Sequence, residues 1–230
     1  MTPRFGRVLT AMISPFTKDE ALDIEGAQTL AKWLVEQGNE GLVIAGTTGE
    51  SPTLTHEEQI NLITAVVEAV DVPVIAGAGS NDTKAAVELT ESCTEAGAAG
   101  ILTVTPYYNR PSQQGLLAHF SAVARSTDLP VMLYDIPVRS GRKIDISTIL
   151  QLADEVENIV ALKDAAGDVA ETARLIAAAP EGFEVYSGED SLTLSLLSLG
   201  AVGTVSVASH WSTPETVDLM KAFFSGDFIR

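Results

Sequence analysis

The sequence has few of the residues from which disulfide frameworks and metal sites are built. Its 230 residues include one cysteine, Cys93, and three histidines that lie far apart. A single thiol allows no disulfide within the chain, and no histidine pair has the spacing of metal ligands on a helix. We therefore expect a fold held together by its core, a reducing, cytoplasmic setting and no metal.

Positive charge is also scarce. Lys and Arg together number 14 against 31 Asp and Glu, which gives a formal net charge of −17. Nucleic-acid binding needs clustered Lys and Arg, so this class of function is excluded. No stretch reaches the roughly 18 uninterrupted apolar residues of a membrane span. Residues 1–7 lead into only a short apolar run, so we also expect no signal peptide.

Apolar residues are plentiful, at 46% of the chain, and their arrangement is regular. Eight short runs rich in Val, Ile and Leu alternate with longer segments of helical periodicity. The runs cover residues 7–14, 41–47, 73–79, 100–106, 131–137, 159–165, 183–189 and 203–209. Runs that are apolar on both faces are typical of parallel strands covered by helices. Eight such units without a linker predict one (β/α)8 TIM barrel over residues 1–225, with a doubly wound open sheet as the alternative.

Several helix starts are marked by residues that cap helices. Asp23 precedes a helical pattern over residues 24–37, and Gly38 is suited to end that helix. Thr55 and Glu58 form a capping box. Asp82 and Ser112 are further predicted N-caps. These boundaries support the alternation of strands and helices.

Active sites of such barrels lie at the carboxyl ends of the strands, and in the sixth run Lys163 directly follows the apolar residues 159–162. Lysine is rarely fully buried. In water its pKa near 10.4 leaves little neutral amine at pH 7, whereas enclosure among apolar groups favours the neutral form. A neutral lysine attacks carbonyl groups and forms a Schiff base. The alternative is an ion pair with Asp164.

Polar groups also close other strands. Thr47 and Thr48 lie between glycines in a segment suited to hold a carboxylate or phosphate, although paired threonines also occur in plain turns. Tyr134 is placed to relay protons, and Arg139 to bind a carboxylate through two hydrogen bonds, or simply to pair with a surface Asp. The adjacent tyrosines of residues 105–111 point in different directions, so at least one is a packing residue.

Four motifs together resemble the pyruvate-dependent class I aldolase family, which includes N-acetylneuraminate lyase and dihydrodipicolinate synthase. They are GTTGES (46–51), TPYYNRP (105–111), YDIPVRSG (134–141) and ALKDAAGD (161–168), and they occur in order. The resemblance runs from about residue 7 to the end of the chain. The pattern Tyr-x-x-Pro-x-Arg-x-Gly with the double threonine is closer to the dihydrodipicolinate synthase branch than to the lyases.

The resemblance implies condensation of pyruvate with aspartate-4-semialdehyde, at the branch toward diaminopimelate and lysine. It implies that Lys163 forms the imine with pyruvate, and that the imine itself is the electron sink, so no cofactor is required. It assigns a proton relay to Tyr134, Thr48 and Tyr108, with Tyr108 lent by a neighbouring subunit of a homo-oligomer.

The resemblance also implies how the substrates are held. Thr47 and Thr48 would bind the carboxylate of pyruvate, and Arg139 would bind that of the semialdehyde. Gly188 and Val205 would line the pocket at the family's backbone positions on strands seven and eight. The family continues into a small helical domain, which is largely absent from this chain because residues 226–230 would be only its start.

Two other functions stay open at this point. One is a sister aldolase or dehydratase that acts on a 2-keto-3-deoxy sugar acid. Arg139 would distinguish the synthase from such an enzyme, because only the synthase uses an aldehyde that carries a carboxylate. The other, of a different class, is a barrel that binds an acidic metabolite without turnover. Covalent trapping of pyruvate on Lys163 separates an enzyme from a binding protein.

Regulation by lysine is expected to be weak or absent. Lysine-inhibited members of the family place a His and a Glu near the start of helices two and three. His56 keeps one such position, but Gln59 stands where a second His is often found, and Ala85 beside Lys84 stands where the Glu is expected. Activity assayed with increasing lysine checks this expectation, and half-inhibition at sub-millimolar lysine contradicts it.

Overall fold

The structure is a computed structural model that describes residues 2–229. The strands, β1 to β8, span Val8–Ala11, Gly41–Ile44, Val74–Gly77, Gly100–Val104, Val131–Asp135, Ile159–Asp164, Glu184–Ser187 and Gly203–Ser206. The helices, α1 to α9, span Ile24–Glu36, His56–Val67, Thr83–Glu95, Gln113–Ala124, Pro137–Ser140, Ile146–Glu155, Val169–Ala178, Thr193–Leu199 and Ser209–Ser225. Short 3₁₀ helices lie at Ser51–Thr53 and Asp190–Leu192.

The strands form a closed parallel barrel in sequence order. Each strand pairs with the next, and β1 pairs with β8, where Leu9 lies opposite Val205. The predicted TIM barrel is therefore confirmed, and the open-sheet alternative is wrong. The predicted end of the barrel at residue 225 coincides with the last residue of α9. The outer limits predicted for the two regions, residues 1 and 230, lie outside the described residues.

Two apolar layers hold the barrel together. Every strand contributes to a cluster inside the barrel, whose members on the strands are Leu9, Ala11, Val43, Ile75, Leu102, Met132, Tyr134, Ala161, Tyr186 and Val205. A larger cluster lies between the strands and the surrounding helices. Since successive strand residues point to opposite faces, strands covered on both sides are buried almost throughout. Burial of one large apolar side chain contributes about 1.5–3 kcal/mol.

The caps that the sequence predicts are present. The Asp23 side chain accepts a hydrogen bond from the Gly26 N–H, and α1 ends one residue before the predicted boundary. Thr55 and Glu58 form both hydrogen bonds of the capping box. The side chain of Asp82 accepts from Lys84 and Ala85, and that of Ser112 from Gly115. These local signals fix where the helices begin after β1, β2, β3 and β4.

Strained backbone is concentrated at the carboxyl ends of β2 and β4. Among residues 2–229, four of the five non-glycine residues with positive φ follow these strands: Ala45, Glu50, Tyr108 and Arg110. Positive φ is costly for a bulky residue and is found at functional sites more often than elsewhere. Gly77 at the end of β3 allows the backbones of β2 and β3 to approach closely, because a Cβ at this position would clash with the Ala45 carbonyl oxygen.

No helix in the range 2–229 is long and apolar enough to cross a membrane.

Candidate active site

Lys163 lies on the inner side of β6, near the carboxyl end of the barrel. It is two residues after Ala161, which belongs to the cluster inside the barrel, so both side chains share one face of the strand. Lys163 is only 5% exposed. Its neighbour across the ladder is Tyr134 on β5, and the lysine Nζ lies 4.2 Å from the centre of the tyrosine ring.

Burial shifts the protonation equilibrium of this amine. It lowers the pKa of Lys163 to about 8, with the nearby Arg139 guanidinium lowering it further and the Asp190 carboxylate opposing the shift. At pH 7 an amine with this pKa is about one part in ten neutral, far more than a lysine in water. The shift is what a lysine that attacks carbonyl groups requires.

Asp164 does not pair with this amine. It is the next residue on β6 and therefore points to the opposite face, toward the helices. Its carboxylate accepts hydrogen bonds from the Ala166 N–H at 2.9 Å and from the Thr172 hydroxyl at 2.5 Å. The alternative interpretation of Lys163, an ion pair with its neighbour in sequence, is therefore wrong.

The hydroxyl that reaches Tyr134 is that of Thr47. Tyr134 is buried, which raises its pKa, while a hydrogen bond from Thr47 and the charge of Arg139 act in the opposite direction. The resemblance assigned the relay position to Thr48. The hydroxyl that lowers the pKa of the phenol is that of Thr47, so Thr47 is a second candidate for this position beside Thr48.

Arg139 lies in α5, the single turn of helix that follows β5. It lines a cavity of about 240 Å³ that opens between the strand ends, together with Thr47, Ser51, Pro52, Gly79, Val104, Tyr107, Ile136 and Ser140. Its charge acts on both Tyr134 and Lys163. Arg139 is therefore close enough to both groups for its positive charge to lower their pKa values.

Gly188 directly follows β7, and Val205 lies in β8. A Cβ at Gly188 would lie 3.0 Å from the Lys163 Cγ, so glycine leaves room for the lysine stem. Val205 is buried within the barrel cluster. Gly188 therefore lies against Lys163, and Val205 lies inside the same barrel.

The two adjacent tyrosines separate, as expected. Tyr107 lines the cavity beside Arg139, whereas Tyr108 is 90% exposed and has a φ of 72°. The Tyr108 N–H donates to the Ser140 carbonyl, which joins the loop after β4 to the turn that carries Arg139. Within one chain, Tyr108 does not line the cavity.

The sequence did not identify the role of Asp190. Its carboxylate accepts hydrogen bonds from the N–H groups of Val207 and Ala208, at 3.1 and 2.9 Å, and so anchors the turn after β8. It also favours the charged form of Lys163. In the sequence, Asp190 lies two residues after Gly188, at a strand end where the active site of such a barrel is expected.

The fold and the site define a parallel barrel whose sixth strand carries a buried, readily deprotonated lysine to the catalytic face. The chain belongs to the dihydrodipicolinate synthetase family, whose model matches residues 4–230. A 4-hydroxy-tetrahydrodipicolinate synthase from Moorella thermoacetica is 50% identical over 97% of this chain and 77% of its own length.

Solved structures agree with this assignment. DHDPS from Cyanidioschyzon merolae with lysine bound has a TM-score of 0.95 and 47% identity, over 96% of this chain and 76% of the other. The chloride-inhibited dihydrodipicolinate synthase from Acinetobacter baumannii, complexed with pyruvate, has a TM-score of 0.93 and 37% identity. That match covers 97% of this chain and 77% of the other.

The depressed pKa of Lys163 predicts the pH dependence of covalent trapping. Only the neutral amine attacks pyruvate, so the rate of adduct formation at limiting pyruvate should rise between about pH 6 and about pH 9, with a midpoint near 8. Mass spectrometry after borohydride reduction measures this rate, and Lys163→Ala, which lacks the amine, is the control. A midpoint near the ordinary value of about 10.4 would contradict the prediction.

Proposed function

We propose that this chain condenses pyruvate with L-aspartate-4-semialdehyde to 4-hydroxy-tetrahydrodipicolinate, on the route to diaminopimelate and lysine. The observation that carries the proposal is the buried Lys163 amine beside Tyr134, inside a barrel mouth that also holds Arg139. The names of the relatives and the pyruvate in one related structure support these substrates.

Lys163 begins the reaction. Its neutral amine attacks C2 of pyruvate, and loss of water leaves a protonated imine. This imine withdraws electrons, so a proton leaves C3 and an enamine forms. The enamine carbon bonds to the aldehyde carbon of the semialdehyde. The substrate's own amino group then attacks the imine carbon, closes the ring and releases Lys163, so that one water is lost in total.

Tyr134 and Thr47 move the protons. The phenol lies beside the lysine, and its hydrogen bond from Thr47 provides an exit for a proton taken up during imine formation. Tyr108 is proposed to complete the relay in a neighbouring copy of the chain, since it is exposed and does not line the cavity of its own chain. The active form would then be a homo-oligomer.

Two carboxylates need to be held. Thr47 and Thr48, in the loop after β2, are proposed to bind that of pyruvate. Arg139 is proposed to bind that of the semialdehyde, since its guanidinium borders the cavity and can donate two parallel hydrogen bonds. Gly188 and Val205 line the wall around the imine. The imine supplies the electron sink, so the proposed reaction uses no cofactor.

Borohydride trapping followed by a coupled assay tests the proposed function. We expect a pyruvyl-sized adduct on Lys163 and turnover when aspartate semialdehyde is added. Arg139→Ala should keep the adduct but reduce kcat/KM for the semialdehyde by about tenfold to a thousandfold, because a bidentate partner of its carboxylate is lost. Absence of the adduct would favour a binding protein. An adduct with turnover only of uncharged or sugar-derived aldehydes would favour the sister aldolase.

Replacing each threonine separately tests whether Thr47 or Thr48 belongs to the proposed relay. Thr47→Val removes the hydroxyl that bonds Tyr134 while keeping the shape of the side chain, and we expect kcat to fall by about a hundredfold. Thr48→Val is the matched control and should change kcat much less, with its main effect on KM for pyruvate. Steady-state kinetics with pyruvate varied measures both. The opposite order of the two kcat effects would return the relay to Thr48.

A further inference from the structure

A second pair of charged groups lies directly behind the catalytic pair. Tyr134 and Lys163 are opposite each other in the ladder, and so are the next residues, Asp135 and Asp164. Because neighbouring strand residues point to opposite faces, the two carboxylates lie together between the strands and the helices. Asp135 is only 1% exposed. Two buried carboxylates side by side need compensating partners.

Lys143 supplies the positive charge at this place. Its Nζ lies 3.2 Å from the Asp135 Oδ2, and the other oxygen of the same carboxylate accepts a hydrogen bond from the Ile144 N–H at 3.2 Å. Burial raises the pKa of Asp135 to about 6, and Lys143 is the largest influence in the opposite direction. The carboxylate therefore depends on Lys143 for its charge balance.

These contacts close a loop around Arg139. The segment 136–142 leaves β5 next to Asp135 and returns to the same carboxylate through Lys143 and Ile144. Within the loop, the Ser140 hydroxyl donates to the Arg142 carbonyl at 2.8 Å. Fixing both ends of a short loop reduces the conformations open to it. The contacts of Lys143 and Ile144 with the Asp135 carboxylate therefore restrict the loop that carries Arg139.

Lys143 also joins this loop to the element that follows the catalytic lysine. Its Nζ lies 2.8 Å from Oε2 of Glu171, in the first turn of α7. The Lys143 carbonyl accepts a hydrogen bond from the Gln113 side chain on α4. One half-buried lysine thus connects the Arg139 loop to the helices on either side of it.

We propose that Lys143 is a positioning residue, which holds the Arg139 loop so that the guanidinium meets the carboxylate of the aldehyde substrate. Lys143 contacts neither Lys163 nor Tyr134 through its amine, so its main effect falls on binding of the second substrate, and its effect on formation of the pyruvate imine is small. The inference rests on the proposed function, because it needs an aldehyde that carries a carboxylate.

Lys143→Met tests the proposal, with Lys32→Met as the control. Lys32 is an exposed lysine of α1 and gives the same change in net charge. We expect Lys143→Met to raise KM for aspartate semialdehyde by about tenfold or more, since small displacements of a binding group have large effects. KM for pyruvate and the rate of borohydride trapping on Lys163 should stay within about twofold of the parent and of Lys32→Met.

Two further variants keep the test decisive if Lys143→Met folds poorly. Asp135→Asn combined with Lys143→Met removes the uncompensated buried charge together with the tether, so it should fold while KM for the semialdehyde stays raised. Lys143→Arg keeps a cation and its donors, and should restore KM to within about threefold of the parent. A thermal melt of each variant reports folding.

Two results overturn the inference. An unchanged KM for the semialdehyde in the folded Lys143→Met or double variant shows that the ion pair of Lys143 with Asp135 does not position Arg139. Parallel losses in pyruvate trapping and in semialdehyde use show a merely structural role. A parent protein that traps pyruvate but does not use the semialdehyde refutes the proposed function instead, and with it the substrate named in this inference.

Discussion

The site depends on removing the Lys163 amine from water without giving it a permanent partner. Burial disfavours the charged ammonium and is the largest cause of the lowered pKa of Lys163, which leaves a useful fraction of the amine neutral. A close ion pair would cancel the shift, so it matters that the adjacent carboxylate, Asp164, faces away and is bonded to Thr172. Asp190 acts on Lys163 only through its charge and moderates the effect. The closed barrel excludes water from Lys163 and so makes this lowered pKa possible.

Strand geometry assigns the two faces of β5 and β6 to different tasks. The inner face presents Tyr134 and Lys163 to the interior of the barrel, and the outer face places Asp135 and Asp164 under the helices. The outer carboxylates bind the backbone and side chains of the segments that follow each strand. The reactive residues and the residues that support the following loops are therefore neighbours in sequence. A shift of the strand register by one residue would exchange the two faces.

Charge is unevenly distributed relative to the proposed substrates. The chain as a whole is strongly acidic, with a formal net charge of −17, and such a surface attracts anions poorly. Arg139 provides positive charge at the cavity, while Lys143 compensates the carboxylate behind it. Local placement of a few cations therefore outweighs net charge at the mouth, where nearby groups interact in a low-dielectric setting.

Local patterns in the sequence were sufficient for the barrel, for the helix starts and for Lys163 as the residue to inspect. The reason is physical: apolar runs, caps and a lysine at a strand end act over a few residues, and the C-terminal face of a barrel collects them. The capping box of Thr55 and Glu58 is present as the sequence indicates, and the strands within the eight runs are buried as expected.

Only the tertiary structure decided which groups meet. The effect of the Thr47 hydroxyl on the pKa of Tyr134 joins two residues that lie far apart in the chain. The divergence of Tyr107 and Tyr108, and the pairing of Lys143 with Asp135, likewise depend on φ values and on packing between elements. The sequence by itself determined which side chains each strand end carries. The orientation of these side chains follows from contacts between residues far apart in the chain, which local sequence patterns do not encode.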